Sequence, residues 1–163
     1  MARDASAKGN SKVMRRADYT PYEYAIDKTS LDFTLDKNAT IVKSKLDISL
    51  DAKSGGKPGA DLVLDGEDMT LKSVKSDGKA LQPGDYSVDN EKLVIHNPPS
   101  NFTLEIENEI DPEANTKLMG LYISDGVFCT QCEPGGFRRI TYYPDRPDVM
   151  STFDVTVRAP KDD

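Results

Sequence analysis

From Ser30 onward, apolar and polar residues alternate in steps of two. Leu31, Phe33 and Leu35 fall on one side, with Asp32, Thr34 and Asp36 on the other. After Lys37-Asn38 the pattern resumes, with Val42, Ser44, Leu46, Ile48 and Leu50 set against Lys43, Lys45, Asp47 and Ser49. A period of two puts every second side chain on one face of a strand, so an apolar row opposite a charged row marks a half-buried strand. Two such runs around a short polar link predict a hairpin.

The rest of the chain is cut into short apolar runs by turn residues. Leu62-Val63-Leu64 follows a Gly- and Pro-rich loop and is closed by Asp65-Gly66. Met69 to Val74 and Lys79 to Leu81 flank Asp77-Gly78, a pair suited to a type I′ turn because both residues tolerate positive φ. Tyr86 to Val88, Leu93 to Ile95 and the alternating Phe102, Leu104 and Ile106 come next, ending before Asp111-Pro112. The last third offers Leu121 to Ile123, Val127 to Thr130, Arg139 to Tyr143, and the row Phe153, Val155, Val157. These make about nine or ten strands at the spacing of a sandwich or barrel. No stretch of a dozen residues holds a helical period, and Asp148 to Thr152 has room for one helical turn at most. The predicted class is all-β, an antiparallel sandwich or saddle.

With 163 residues, the chain fits one domain. Residues 1–16 carry five basic side chains against Asp4, a composition expected of a disordered basic tail, and leave residues 17–163 as the sandwich domain. The overall charge of -7 argues against nucleic acid, whose phosphates select clustered Lys and Arg. No apolar run is long enough to span a membrane, and the amino terminus lacks the apolar stretch of a secretory signal. A cytoplasmic setting is expected, with a plastid or mitochondrion as the alternative, and the cysteines are expected to be reduced.

His96, Cys129 and Cys132 are the only His and Cys residues. A catalytic zinc takes three protein ligands and an open position, so this inventory does not suit one. Cys129-Thr130-Gln131-Cys132 could be half a zinc site, a redox pair or two incidental thiols. A redox pair is expected to open a helix, whereas this one lies in strand and turn, so two structural or incidental cysteines is the favoured reading. His96, with no acid or nucleophile near it in sequence, reads as a strand-end histidine facing water. Arg138-Arg139 and Asp145-Arg146-Pro147-Asp148 read as salt-bridged loops or domain contacts, and Tyr19, Tyr22, Tyr24, Tyr142 and Tyr143 as packing residues with polar tips.

Glu133 follows a strand and precedes Pro134-Gly135-Gly136. A carboxylate at a strand end, held by a stiff turn, suits a ligand ammonium through charge-assisted hydrogen bonds. Gln131 would share its face if the strand continued. A solvated loop acid is the commoner state of such a residue, and on residue chemistry alone it is the favoured one.

Gly120-Leu121-Tyr122, Phe128-Cys129-Thr130-Gln131-Cys132-Glu133, Gly136-Phe137-Arg138-Arg139-Ile140-Thr141 and Asp145-Arg146-Pro147-Asp148-Val149-Met150 together resemble the amino-terminal domain of the alanyl aminopeptidase (aminopeptidase N) family. The likeness extends over about Arg16 to Pro160. It implies a β-saddle packed on a thermolysin-like catalytic domain, in a zinc metallopeptidase that removes amino-terminal residues from peptides. It also implies that Glu133 binds the free α-ammonium of the peptide and that Gln131 borders the first-residue pocket. With the resemblance, the ammonium reading of Glu133 takes precedence.

Pro134-Gly135 departs from the small or acidic residue that the family has after this glutamate. His-Glu-x-x-His and the Gly-Ala-Met-Glu-Asn loop do not occur in the sequence, so zinc is expected in a full-length enzyme and not on these residues. The family's domain runs past the position of Asp163, so one or more closing strands are expected beyond it. The leading expectation is part of a zinc aminopeptidase, inactive by itself. The alternative is a standalone peptide-binding or structural module without catalysis.

Overall fold

The computed structural model describes residues 15–161. The basic tail expected over residues 1–16 therefore lies outside the described residues except for Arg15 and Arg16, and Arg16–Asp18 forms a turn of 3-10 helix. Eleven strands follow among the described residues: β1 (Tyr24–Thr34), β2 (Thr40–Leu50), β3 (Leu62–Asp65), β4 (Thr70–Ser76), β5 (Lys79–Ala80), β6 (Tyr86–Val88), β7 (Lys92–Ile95), β8 (Asn101–Ile110), β9 (Gly120–Ser124), β10 (Val127–Gln131) and β11 (Thr152–Arg158).

They form a six-stranded sheet in the order β11-β1-β2-β8-β4-β5, a three-stranded sheet β3-β7-β6, and the β9–β10 hairpin. The all-β class holds. One pairing departs from the antiparallel expectation, because β11 runs parallel to β1 with Leu31 opposite Val155. Only a strand returning from a distant segment can pair this way, since a parallel neighbour cannot be joined by a tight turn.

The alternation read from the sequence is what buries the large sheet. In β2, Val42, Ser44, Leu46 and Ile48 are buried while Lys43 and Lys45 are exposed. In β8, Phe102, Leu104, Ile106, Asn108 and Ile110 are buried. One end of this apolar face packs with Leu62, Leu64, Leu93 and Ile95 of the small sheet. At the other end, Val42 and Ile110 pack with Leu121 and Ile140. The Asp77-Gly78 turn has positive φ at both residues, as type I′ requires. Asp125-Gly126 repeats that geometry at the tip of β9–β10, with Ser124 opposite Val127.

Arg139 to Tyr143 was expected to be a strand and is not one. Phe137–Arg139 forms a 3-10 turn, and Tyr143 makes a single bridge to Asp65. Ile140, Thr141, Tyr142 and Tyr143 are all buried, so this strap has no solvent face and fills the gap between sheets.

Candidate functional site

The β9–β10 hairpin ends where Gln131 pairs with Gly120. Beyond it the chain turns through Cys132 to Gly136, closed by the Gly136 N–H donating to the Cys132 carbonyl at 2.8 Å. The Glu133–Pro134 peptide is cis. Strand β10 ends at Gln131, so strand periodicity does not put Gln131 and Glu133 on one face. A side chain joins them instead, with Gln131 Nε2 donating to the Glu133 carbonyl oxygen at 2.9 Å. Both residues are exposed. Among the described residues the Glu133 carboxylate has no ion-pair partner, and Gln131 Oε1 has no donor.

Two glycines let three backbone segments converge behind this turn. A Cβ on Gly136 would stand 2.5 Å from the Gln131 carbonyl oxygen, and one on Gly120 would stand 2.7 Å from Arg139 Cβ. Gly120 also has φ of +78°, a region that side chains disfavour. The close approach locks the Gln131 end of the hairpin to the strap.

The strap is fixed from several directions. Arg138 donates from Nε to Asp145 Oδ2 at 3.0 Å and from Nη2 to the Asp145 carbonyl at 3.0 Å. Arg139, largely buried, pairs with Glu67 and Asp68. The fully buried Asn108 donates from Nδ2 to the Ile140 carbonyl at 2.9 Å, and Thr141 Oγ1 meets Ser44 Oγ at 3.2 Å. Phe137 stands edge-on to Tyr143 and to Phe153. A rigid frame thus carries an exposed carboxylate beside an amide oxygen. That pair of acceptors complements a cation with several N–H donors.

The remaining candidates resolve into structural roles. Cys132 packs on the Val42–Ile110–Leu121–Ile140 cluster. Its burial raises the thiol above the ordinary value, and the carboxylates of Asp145 and Glu133 push it the same way. Such a thiol is a poor nucleophile or metal ligand. Cys129 is likewise free. The histidine does have partners that its sequence neighbourhood hid: Nδ1 meets Asp61 Oδ2 at 3.0 Å and Nε2 meets Ser87 Oγ at 3.1 Å. Strand register brings them together, because Leu62 faces Ile95 and Ser87 faces Val94. The row lies exposed on the outer face of the small sheet and ties β3 and β6 to β7.

Both ring nitrogens of His96 are therefore engaged. Among the described residues, no three His, Cys, Asp or Glu side chains gather as a metal site would need. These residues do not fit a zinc ion. No helix among the described residues is long and apolar enough to cross a membrane.

Tyr22, Tyr24, Tyr142 and Tyr143 pack as read and the charged loops are salt-bridged, whereas Tyr19 is 58% exposed, with its hydroxyl on Asp148. Tyr22 and Tyr24 donate to the carbonyls of Val63 and Ala60 at 2.7 and 2.6 Å. Arg146 pairs with Asp148 at 2.7 Å and lies 5.7 Å from the centre of the Tyr22 ring. Sequence reading passed over Asn108 and Asn115, and it named Gly120 and Gly136 only within motifs, because the close approaches that need them exist only once distant segments meet.

Residues 20–163 match the model of the peptidase M1 N-terminal domain. Aminopeptidase N of Caulobacter vibrioides is 49% identical over 148 residues, covering 91% of this chain and 17% of that protein. Aminopeptidase N of Escherichia coli is 43% identical over 146 residues, covering 90% and 16%. Among solved structures, aminopeptidase A of Legionella pneumophila in complex with aspartic acid aligns with a TM-score of 0.82 at 34% identity, over 90% of this chain and 17% of that one. An M1 zinc metallopeptidase from Deinococcus radiodurans shares the fold, with a TM-score of 0.71 at 18% identity over 85% of this chain and 33% of that one. The chain spans 17% and 16% of the length of the two curated relatives.

Proposed function

The chain belongs to the peptidase M1 N-terminal domain family, and from that membership we propose that residues 17–163 are the substrate-reading amino-terminal domain of a zinc aminopeptidase. The observation that carries the reading is the exposed Glu133 carboxylate, without an ion-pair partner among the described residues and held on a turn whose carbonyl is already tied to Gln131. The α-ammonium of a peptide pairs with Glu133. Gln131 Nε2 is committed, so Oε1 is the acceptor left for the ammonium or for a polar group of the first residue. Hydrolysis, and the zinc it depends on, belong to a thermolysin-like domain outside these residues, and the isolated chain is inactive. The setting is cytoplasmic.

Magnitudes explain why two domains are needed. An exposed ion pair is worth about 0.2–1 kcal/mol, which holds a peptide only weakly. A second domain closing over the same pair excludes water, and charge-assisted hydrogen bonds then contribute about 1.5–3 kcal/mol.

The test is to isolate the native polypeptide with an antibody to this domain and to assay it on alanyl p-nitroanilide with and without a zinc chelator. The expected result is a mass several-fold above 18.0 kDa, chelator-sensitive hydrolysis, and a KM raised by Glu133→Ala. A band at 18.0 kDa without hydrolysis removes the enzyme reading, and a KM indifferent to Glu133→Ala removes the role of the carboxylate.

A further inference from the structure

The geometry points to Asn115 as the positioning residue of the Gln131–Glu133 site, an inference that rests on the ammonium reading of those two residues. Asn115 precedes the hairpin, sixteen positions before Gln131 in sequence. Its carboxamide nitrogen donates to two main-chain carbonyls, Met119 at 2.7 Å and Leu121 at 2.8 Å. These carbonyls stand on either side of Gly120, the residue that pairs with Gln131. Gly120 also abuts the strap, where a Cβ would stand 3.2 Å from the Gly136 carbonyl oxygen. One side chain therefore clamps a residue that pairs with Gln131, just before the Cys132–Gly136 turn, and abuts Gly136 at its far end.

Both N–H bonds of the amide are used, so the clamp needs a donor and not merely a side chain of that size. A carboxylate of the same shape donates nothing and would set its charge against two carbonyl oxygens. Without the clamp, the +78° conformation at Gly120 loses its fastening. Gln131 then shifts with its ladder partner, and the Glu133 carboxylate is no longer presented in one place.

The experiment titrates this chain with alanyl-alanine amide and with its N-acetylated form, following backbone amide shifts by NMR. Wild type, Glu133→Ala, Asn115→Asp and the double variant are compared, with thermal melts and spectral dispersion reporting the fold. The expected result is weak, non-saturating shift changes at the Gln131–Glu133 turn with the free amine alone, their initial slope lowered about fivefold by Glu133→Ala. Asn115→Asp lowers it by a similar factor, and the double variant is no weaker than Glu133→Ala. Equal binding by Asn115→Asp and wild type overturns the positioning role and leaves the ammonium reading standing. Losses that simply add in the double variant also overturn it, because a general structural defect would not depend on Glu133. Wild type that fails to tell the free amine from the acetylated form overturns the ammonium reading, and this inference with it.

Discussion

Gly66 lies against the ring of Tyr142, and a Cβ on Gly66 would overlap Tyr142 Cδ1 and Cε1. Tyr142 is 2% exposed and belongs to the main core, so the ring has nowhere to withdraw. Gly66 is also a junction, since its N–H donates to the Glu91 carbonyl while Asp65 bridges to Tyr143. Gly66→Ala is expected to cost about 1–3 kcal/mol by overpacking. Urea denaturation followed by tyrosine fluorescence measures it. Tyr142→Leu empties part of the core and costs stability of its own, but combined with Gly66→Ala the total loss should be less than the sum of the two, because the clash goes with the ring. If the two variants simply add, the contact is not the cause.

Much of this arrangement was legible in the chain, and the part that was not has a physical reason. Strands β2 and β8 and the second half of β1 announce themselves because each has one wet face and one dry face, whereas the first half of β1 does not, since a bulge between Ile26 and Lys28 breaks its alternation. The strap from Arg139 to Tyr143 misleads because it is dry on every side, and a run without a solvent face has no period to read. The parallel β11–β1 pair joins segments more than a hundred residues apart, and the pattern within either strand is the same for a parallel or an antiparallel neighbour. At the proposed site, Glu133 and Gln131 are singled out by their turn, and only the resemblance gives them a role. The Asp61–His96–Ser87 row and the Asn115 clamp could not be named, since cross-strand register and a side chain bonded to backbone leave no local signature.

Asp148 gathers Arg146 Nε at 2.8 Å, Arg146 Nη2 at 2.7 Å and the Tyr19 hydroxyl at 3.0 Å. The hydrogen bonds from Arg146 lead in holding its carboxyl below the ordinary value of 3.8. A carboxyl whose native pKa is depressed contributes stability above its unfolded pKa and loses it as pH falls through the native one. The chain should therefore weaken as pH drops below 3.8, and Asp148→Asn should remove part of that slope. At neutral pH the variant should lose no more than about 1 kcal/mol, because the pair lies near the surface. Urea midpoints at pH 7, 4 and 3 read both effects; an unchanged acid slope would show that Asp148 does not carry it.

Asn108 offers the sharper pH experiment. It is fully buried in β8, it donates to the Ile140 carbonyl, and among the described residues its Oδ1 is buried without a partner. Asn108→Asp keeps the shape and replaces the amide with an ionisable group. Ionised, the new carboxylate is buried, unpaired and faces a carbonyl oxygen, which is costly; protonated, its O–H can donate to Ile140 as the amide does. Burial therefore raises the native pKa of the introduced carboxyl above the ordinary Asp value of about 3.9. A group raised in the native state favours folding below its unfolded pKa and loses that contribution as pH climbs through the native one. Asn108→Asp should accordingly approach wild-type stability near pH 4 and fall below it by several kcal/mol near neutrality, a sign opposite to that of Asp148. Parallel urea series on wild type and variant from pH 4 to pH 7 measure the difference. A gap that does not change with pH would mean that the strap gives way and lets water reach position 108, and the carboxamide would then not be what pins Ile140.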